Sequence, residues 1–316
     1  MKWLLLPLAL AAGFAQAQST PEALELLRKI HQATQKLSYT GTFVYQQGDQ
    51  TETSRISRIA DAAGGVEKLE ALDGTPREVV RTRDTVRCYL PDSQVVKVDR
   101  RDARSFPAML PDELAELERH YRITRGERAR VAGLDCESVV LMPRDELRYG
   151  HKLCADAASG MLLKARILDS KGEMVEQFTF TQIAIGSVPR DKVRPRHAAR
   201  SWRIVETAAT PANLAESGWI VASDLPGFRK VVEVRRKLRE SGAVGQVVYS
   251  DGLAAVSVFI EPLSGRSGPV RPGLSNLGAI NIVTRELANH VVTVVGEAPT
   301  ASVQRIAEGV AFKQPQ

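Results

Sequence analysis

Leu24, Leu27, Ile30, Ala33 and Leu37 recur at intervals of three or four, which predicts one helix with a single buried face. Ser19 with Glu22 three positions on makes a capping box at its start, and Thr20 before Pro21 is an alternative N-cap. From Tyr39 to Ile185 the texture changes to short strand-like runs, at 40–47, 53–61, 64–73, 77–90, 93–100, 121–131, 134–142, 147–155, 161–169 and 174–185. Turn-forming pairs such as Gly48-Asp49, Gly64-Gly65, Asp73-Gly74 and Ser159-Gly160 separate the runs, so consecutive strands read as an antiparallel meander. One more helix, Pro111 to His120, interrupts it, with Leu110, Leu114 and Leu117 on one side. A long antiparallel sheet curls, and helices plug its open side. The expected object is a large half-open antiparallel β-barrel clasping helices, within an α+β chain.

Residues 190–212 break this texture with Pro195 and Pro211, several arginines and few large apolar side chains, and read as a basic linker after a large domain at 18–189. A linker of this kind leaves the relative position of two separately cored units weakly fixed. A smaller α+β domain follows at 213–316, with strand-like runs at 217–222, 228–238, 245–250, 253–261, 278–287 and 290–296. Pro299 then opens a terminal helix whose stripe is Val303, Ile306, Ala307 and Val310, while the Gly/Pro/Ser-rich stretch 264–276 reads as a mobile loop. At the other end, Lys2, the apolar run Trp3 to Phe14 and Ala15-Gln16-Ala17 form a signal peptide cleaved after residue 17, which predicts export and, in a Gram-negative cell, the periplasm.

The 316 residues carry a net charge of +6, and the excess is localised. The linker holds Arg190, Lys192, Arg194, Arg196, Arg200 and Arg203 against two acids, and a second cluster comprises Arg229, Lys230, Arg235, Arg236, Lys237 and Arg239. These are solvated faces or a site for an anionic partner, an acidic peptide or a lipid phosphate. Nucleic acid is not the expected partner: aromatic residues are 5% of the chain and no binding motif is present. The five histidines are scattered without metal-ligand spacing, and there is no GxSxG, P-loop, GxGxxG or CxxC, so neither an enzyme nor a cofactor is expected. Cys136 and Cys154 each lie nine residues from Asp145, and in a regular hairpin centred there they face each other within bridging distance. Export favours their oxidation and leaves Cys88 as the odd thiol.

Several longer strings are specific. Gly41-Thr42-Phe43-Val44-Tyr45, Pro143-Arg144-Asp145 with Arg148-Tyr149-Gly150, and Gly160-Met161-Leu162-Leu163-Lys164 resemble the MucB/RseB family of sigma-E factor regulatory proteins. Leu225-Pro226-Gly227-Phe228, Tyr249-Ser250-Asp251-Gly252-Leu253 and Val256 to Leu263 extend the resemblance, in order, into the second domain. It implies a periplasmic, non-enzymatic negative regulator whose large domain is similar to lipoprotein carriers of the LolA/LolB type. Such a regulator binds the periplasmic part of a membrane-anchored anti-sigma factor, shields it from the first protease of a cascade, and is released by lipopolysaccharide or a related lipid. The alternative is a periplasmic lipid or lipoprotein carrier, and the sequence leaves a homo-oligomer open. A half-open barrel accepts acyl chains, at roughly 0.8 kcal/mol per buried CH2. Phe43, Tyr45, Met109 and Leu110 are the candidate cavity residues. The basic cluster at 229–239, with Tyr249 and Phe259, is the candidate surface for partner or lipid phosphate.

Overall fold

A computed structural model describes residues 20–62, 64–99, 110, 114–197, 201–207, 209–237, 243–264 and 269–314. The signal peptide, Met109 and Arg239 lie outside these residues. Helix α1 (Pro21–Lys36) is capped by Thr20, whose hydroxyl accepts from the Ala23 amide at 3.4 Å, with Pro21 opening the first turn. Its buried face is Ala23, Leu26, Leu27, Ile30 and Ala33.

A meander follows: β1 (Tyr39–Gln47), β2 (Gln50–Ile59), β3 (Val66–Ala71), β4 (Glu78–Arg81), β5 (Val86–Leu90) and β6 (Val95–Asp99). After α2 (Leu114–His120) come β7 (Tyr121–Arg125), β8 (Ala129–Val131), β9 (Leu134–Pro143), β10 (Gly150–Asp156), β11 (Leu162–Leu168) and β12 (Met174–Ile185). Pairing of β1 with β12 joins the two halves into one open sheet that ends at β7. Tyr39, Phe43, Phe178 and Phe180 meet edge to face on its inner side, with centroids 5.8–6.2 Å apart, and α1 packs over that side. The half-open sheet clasping helices is the architecture that the patterning predicts.

The basic segment is not a free tether. Val193, in a short 3-10 turn (Arg190–Val193), is buried, and Arg196 reaches Glu70 at 2.8 Å while its amide donates to Glu78 at 2.8 Å. β13 (Arg203–Thr207) then joins the large sheet, pairing in parallel with β6. Trp202 packs on Val80, Tyr89, Val96 and Val98, on the opposite face of the sheet from Ile56.

The small domain adds β14 (Ala209–Pro211), β15 (Trp219–Val221), β16 (Arg229–Lys237), β17 (Ala243–Ser250), β18 (Ala255–Pro262), β19 (Gly273–Leu277), β20 (Ile280–Leu287), β21 (His290–Gly296), α3 (Thr300–Glu308) and β22 (Val310–Phe312). The main sheet runs β14-β16-β17-β18-β21-β20-β19, and α3 buries Val303, Ile306 and Ala307 in the core it shares with that sheet. Val310 belongs to β22 rather than to the helix, which stops before Gly309. Part of the expected mobile loop is the edge strand β19.

Cys136 and Cys154 form the bridge that the sequence predicts, with Cα atoms 5.7 Å apart. The register differs from expectation: Cys154 stands opposite Ser138 and Cys136 opposite Asp156, so the two cysteines are diagonal neighbours. The right-handed twist of the ladder brings one diagonal pair close enough to bridge. Replacing both by alanine is expected to cost roughly 2–4 kcal/mol, the value of closing a loop of this length. Denaturant unfolding of the oxidised protein and of the double variant measures it, and coincident midpoints would contradict it.

Candidate functional site

Arg148 lies in the connection between β9 and β10, and its side chain is fully buried. A buried guanidinium requires acceptors on every side, and those it finds come from both domains. Its Nε donates to Asp251 at 2.7 Å, its Nη1 to Asp145 and its Nη2 to the Pro226 carbonyl, while Cζ lies 5.1 Å from the Phe228 ring centroid. Asp251 sits in the β17–β18 turn, also fully buried. Its Oδ2 takes Arg148 and the Tyr121 hydroxyl, the latter at 3.0 Å, and its Oδ1 takes the amides of Leu253 and Ala254. Burial raises the Tyr121 hydroxyl well above its usual range, and the Asp251 carboxylate adds to this. Gly227 has φ +79°, and a Cβ there would run into the His120 ring, so the small domain approaches this closely only through a glycine.

A second polar seam lies alongside. Glu176 on β12 accepts from the Tyr45 hydroxyl, from Gln47 at 3.3 Å and from the Ala279 amide of the small domain at 3.4 Å. Asn281 donates to the Tyr149 hydroxyl at 3.0 Å, and Ser302 donates to the Leu147 carbonyl at 2.7 Å. Glu297, at the end of β21, faces this group. Burial, with the Glu176 carboxylate beside it, pushes the Glu297 carboxyl up to about 7.

The basic strand makes a third tie. Arg229 reaches Glu116 of α2 at 3.4 Å, and Arg236, buried, reaches Asp99 of β6 at 4.0 Å. Lys230 pairs instead with Glu233 and Arg235 donates to Ser217; the side chain of Lys237 lies outside the described residues. Tyr249 is buried, its hydroxyl donating to the Val221 carbonyl at 2.7 Å, and Phe259 is half-buried on the other face of the sheet.

Of the cavity residues, Phe43 and Leu110 are in the closed core, and Tyr45 is half-buried at the rim of a 480 Å³ cleft lined by Gln47, Glu52, Asp73 and Arg77. The apolar inner face continues past Ile56 through Leu69, Val79 and Cys88, which stand in register across β3, β4 and β5 and are only half-buried. Cys88 is the free thiol, raised by burial above its usual value. Sequence reasoning did not single out Arg148 or Asp251 as site residues. Their signal was present: three of the strings quoted above supply Asp145 and Arg148, Pro226 to Phe228, and Asp251, and all meet at this one point.

The comparisons with known proteins cover both domains. The MucB/RseB N-terminal domain matches residues 22–199 and the MucB/RseB C-terminal domain matches residues 213–311. The sigma factor AlgU regulatory protein MucB of Pseudomonas aeruginosa is 32% identical over 300 residues, covering 92% of this chain and 91% of that protein. The sigma-E factor regulatory protein RseB of Escherichia coli is 26% identical over 326 residues, covering all of both chains. The crystal structure of MucB in complex with MucA(peri) superposes with a TM-score of 0.70 at 29% identity, over 93% of this chain and 100% of that one.

Proposed function

We propose, on the premise that this chain belongs to the MucB/RseB family, that it is a periplasmic negative regulator of an envelope-stress sigma factor. It binds the periplasmic part of a membrane-anchored anti-sigma factor, shields that segment from the first cleavage of a proteolytic cascade, and lets go when lipopolysaccharide or a related lipid arrives. The role is binding, without catalysis. The observation that carries the reading is that the likeness runs through both domains, including the MucB relative crystallised with MucA(peri). A carrier needs only the half-barrel; the tightly seated second domain favours the regulator.

The apolar row Leu69, Val79 and Cys88 is the surface on which an acyl chain would gain most, since each methylene removed from water contributes roughly 0.8 kcal/mol. For the basic strand to meet lipid phosphate or an acidic peptide, Arg229 and Arg236 exchange Glu116 and Asp99 for the ligand, which loosens one tie between the domains. That exchange supplies the unequal affinity for two arrangements that a ligand-driven switch requires. The test is titration of a fluorescent periplasmic anti-sigma segment with the mature chain. Saturable binding that lipopolysaccharide reverses is expected; no binding would overturn the reading.

A further inference from the structure

Outside the seam, the basic residues of β10 and β11 form a second concentration of charge. Strand alternation turns Leu153 and Ala165 toward the α1 core and Lys152, Cys154, Lys164 and Arg166 to the opposite face. There the segment 126–131 folds back over β9, held by the Gly126 amide donating to the Ser138 carbonyl at 2.8 Å and by β8 pairing with β9. Only glycine permits this approach, because a Cβ at 126 would stand 2.9 Å from the Ser138 Cβ. The result is a cleft of 210 Å³ between this wall and the sheet, floored by Ser138 and Cys154.

Five cationic side chains, Arg128, Arg130, Lys152, Lys164 and Arg166, line it against one carboxylate, Glu127. Lys152 and Arg166 stand directly opposite across the ladder, an arrangement that like charges disfavour. Their compensation within the protein is slight. Arg166 donates to the neutral Gln177 at 3.1 Å, and Arg130 to the Gly133 carbonyl at 3.2 Å. The Glu127 carboxylate on Lys152 is 3.9 Å away and 91% exposed. Arg128 is turned toward Glu137. Lys164 has no carboxylate partner among the described residues. Burial, then Arg166 and Lys152, lowers its pKa.

We infer that this cleft is an anion site for a phosphate dianion, held by Lys164, Arg166, Lys152 and Arg130. A dianion of tetrahedral shape suits it because several cations converge on a volume too small for a folded partner, and because guanidinium and ammonium donors both bond well to phosphate oxygens. The phosphate has two sources, a free ion or a lipid headgroup. The Cys136–Cys154 bridge ties the two strands that carry the floor, so the site is preorganised in the oxidised protein. The inference does not depend on the regulatory role.

The experiment is acylation of Lys164 in the mature, oxidised chain, followed by mass spectrometry, with exposed Lys36 as the internal control. One arm adds inorganic phosphate against chloride of equal ionic strength. The other adds phosphatidylcholine vesicles with or without phosphatidic acid. Selective protection of Lys164 in either arm is the expected result, and the protecting arm identifies the source. Calorimetric titration with the protecting probe should show roughly tenfold or weaker affinity for Lys164→Gln and Arg166→Gln, the loss of one charge-assisted bond. Both positions are half-buried on the surface, so these variants retain the fold. Equal acylation of Lys164 in every condition would overturn the site, as would variants that bind like wild type.

Discussion

Asp251→Ala is expected to split thermal unfolding into two transitions, one for each domain, with the first lowered by roughly 10 °C relative to wild type. The substitution removes the carboxylate that neutralises a guanidinium with no exposed side-chain surface. Asp145 and the Pro226 carbonyl remain, but the bond to Nε and the acceptor for Tyr121 are lost together. Breaking a buried pair from one side costs about 3–5 kcal/mol, because the abandoned charge has to be hydrated or accommodated. Since Asp251 is in the small domain and Arg148 in the large one, the cost falls on their docking. Asp251→Asn combined with Arg148→Met removes both charges and keeps the turn acceptor for Leu253 and Ala254. It should recover most of the loss, as buried pairs replaced from both sides commonly do. Calorimetry decides, and a single transition shifted by only a degree or two would show that the seam is not what couples the domains.

Docking weakens as pH rises from about 4.5 to about 7, through titration of Glu297. Its carboxyl is raised from 4.5 to about 7 by burial and by the Glu176 carboxylate. Across that window the docked state holds a proton that the undocked or unfolded state has released, so raising the pH favours the latter. The difference amounts to about 3 kcal/mol at full expression and is complete once the pH passes the docked value. The neighbours facing Glu297 are Glu176, Tyr45 and Tyr149 from the large domain and Asn281 from β20. Glu297→Gln should therefore flatten the dependence of the melting midpoint on pH between 5 and 7.5. A variant with the same slope as wild type would place the titration elsewhere.

Much of the architecture was legible in local pattern, and the exceptions have physical causes. The stripe through Leu27, Ile30 and Ala33 reports α1 because one helix face has to be apolar. The run 77–90 hides two strands because its turn, closed by Thr82 and Thr85, contains neither glycine nor proline. β13 escapes notice because its pairing with β6 is parallel and more than a hundred residues distant, so no hairpin signal marks it. β19 is an exposed edge strand set in Gly, Pro and Ser, the composition of a loop. The two cysteines were found by spacing, but a turn one residue off the assumed centre made them diagonal. The site was the least legible part. Arg148 and Asp251 lie 103 residues apart, and a charged residue in a turn is ordinarily a solvated one. Only the fold shows that both are buried.

Shielding of the anti-sigma segment until lipid intervenes is proposed to need both domains, locked at Arg148 and Asp251. It is tested most directly by the rate at which the site-1 protease cuts the periplasmic anti-sigma segment in the presence of the mature chain. Wild type should suppress cleavage, lipopolysaccharide should restore it, and Asp251→Ala should protect poorly without any lipid. Cleavage at the unprotected rate with wild type present, or full protection by Asp251→Ala, would rule out shielding by the docked pair of domains.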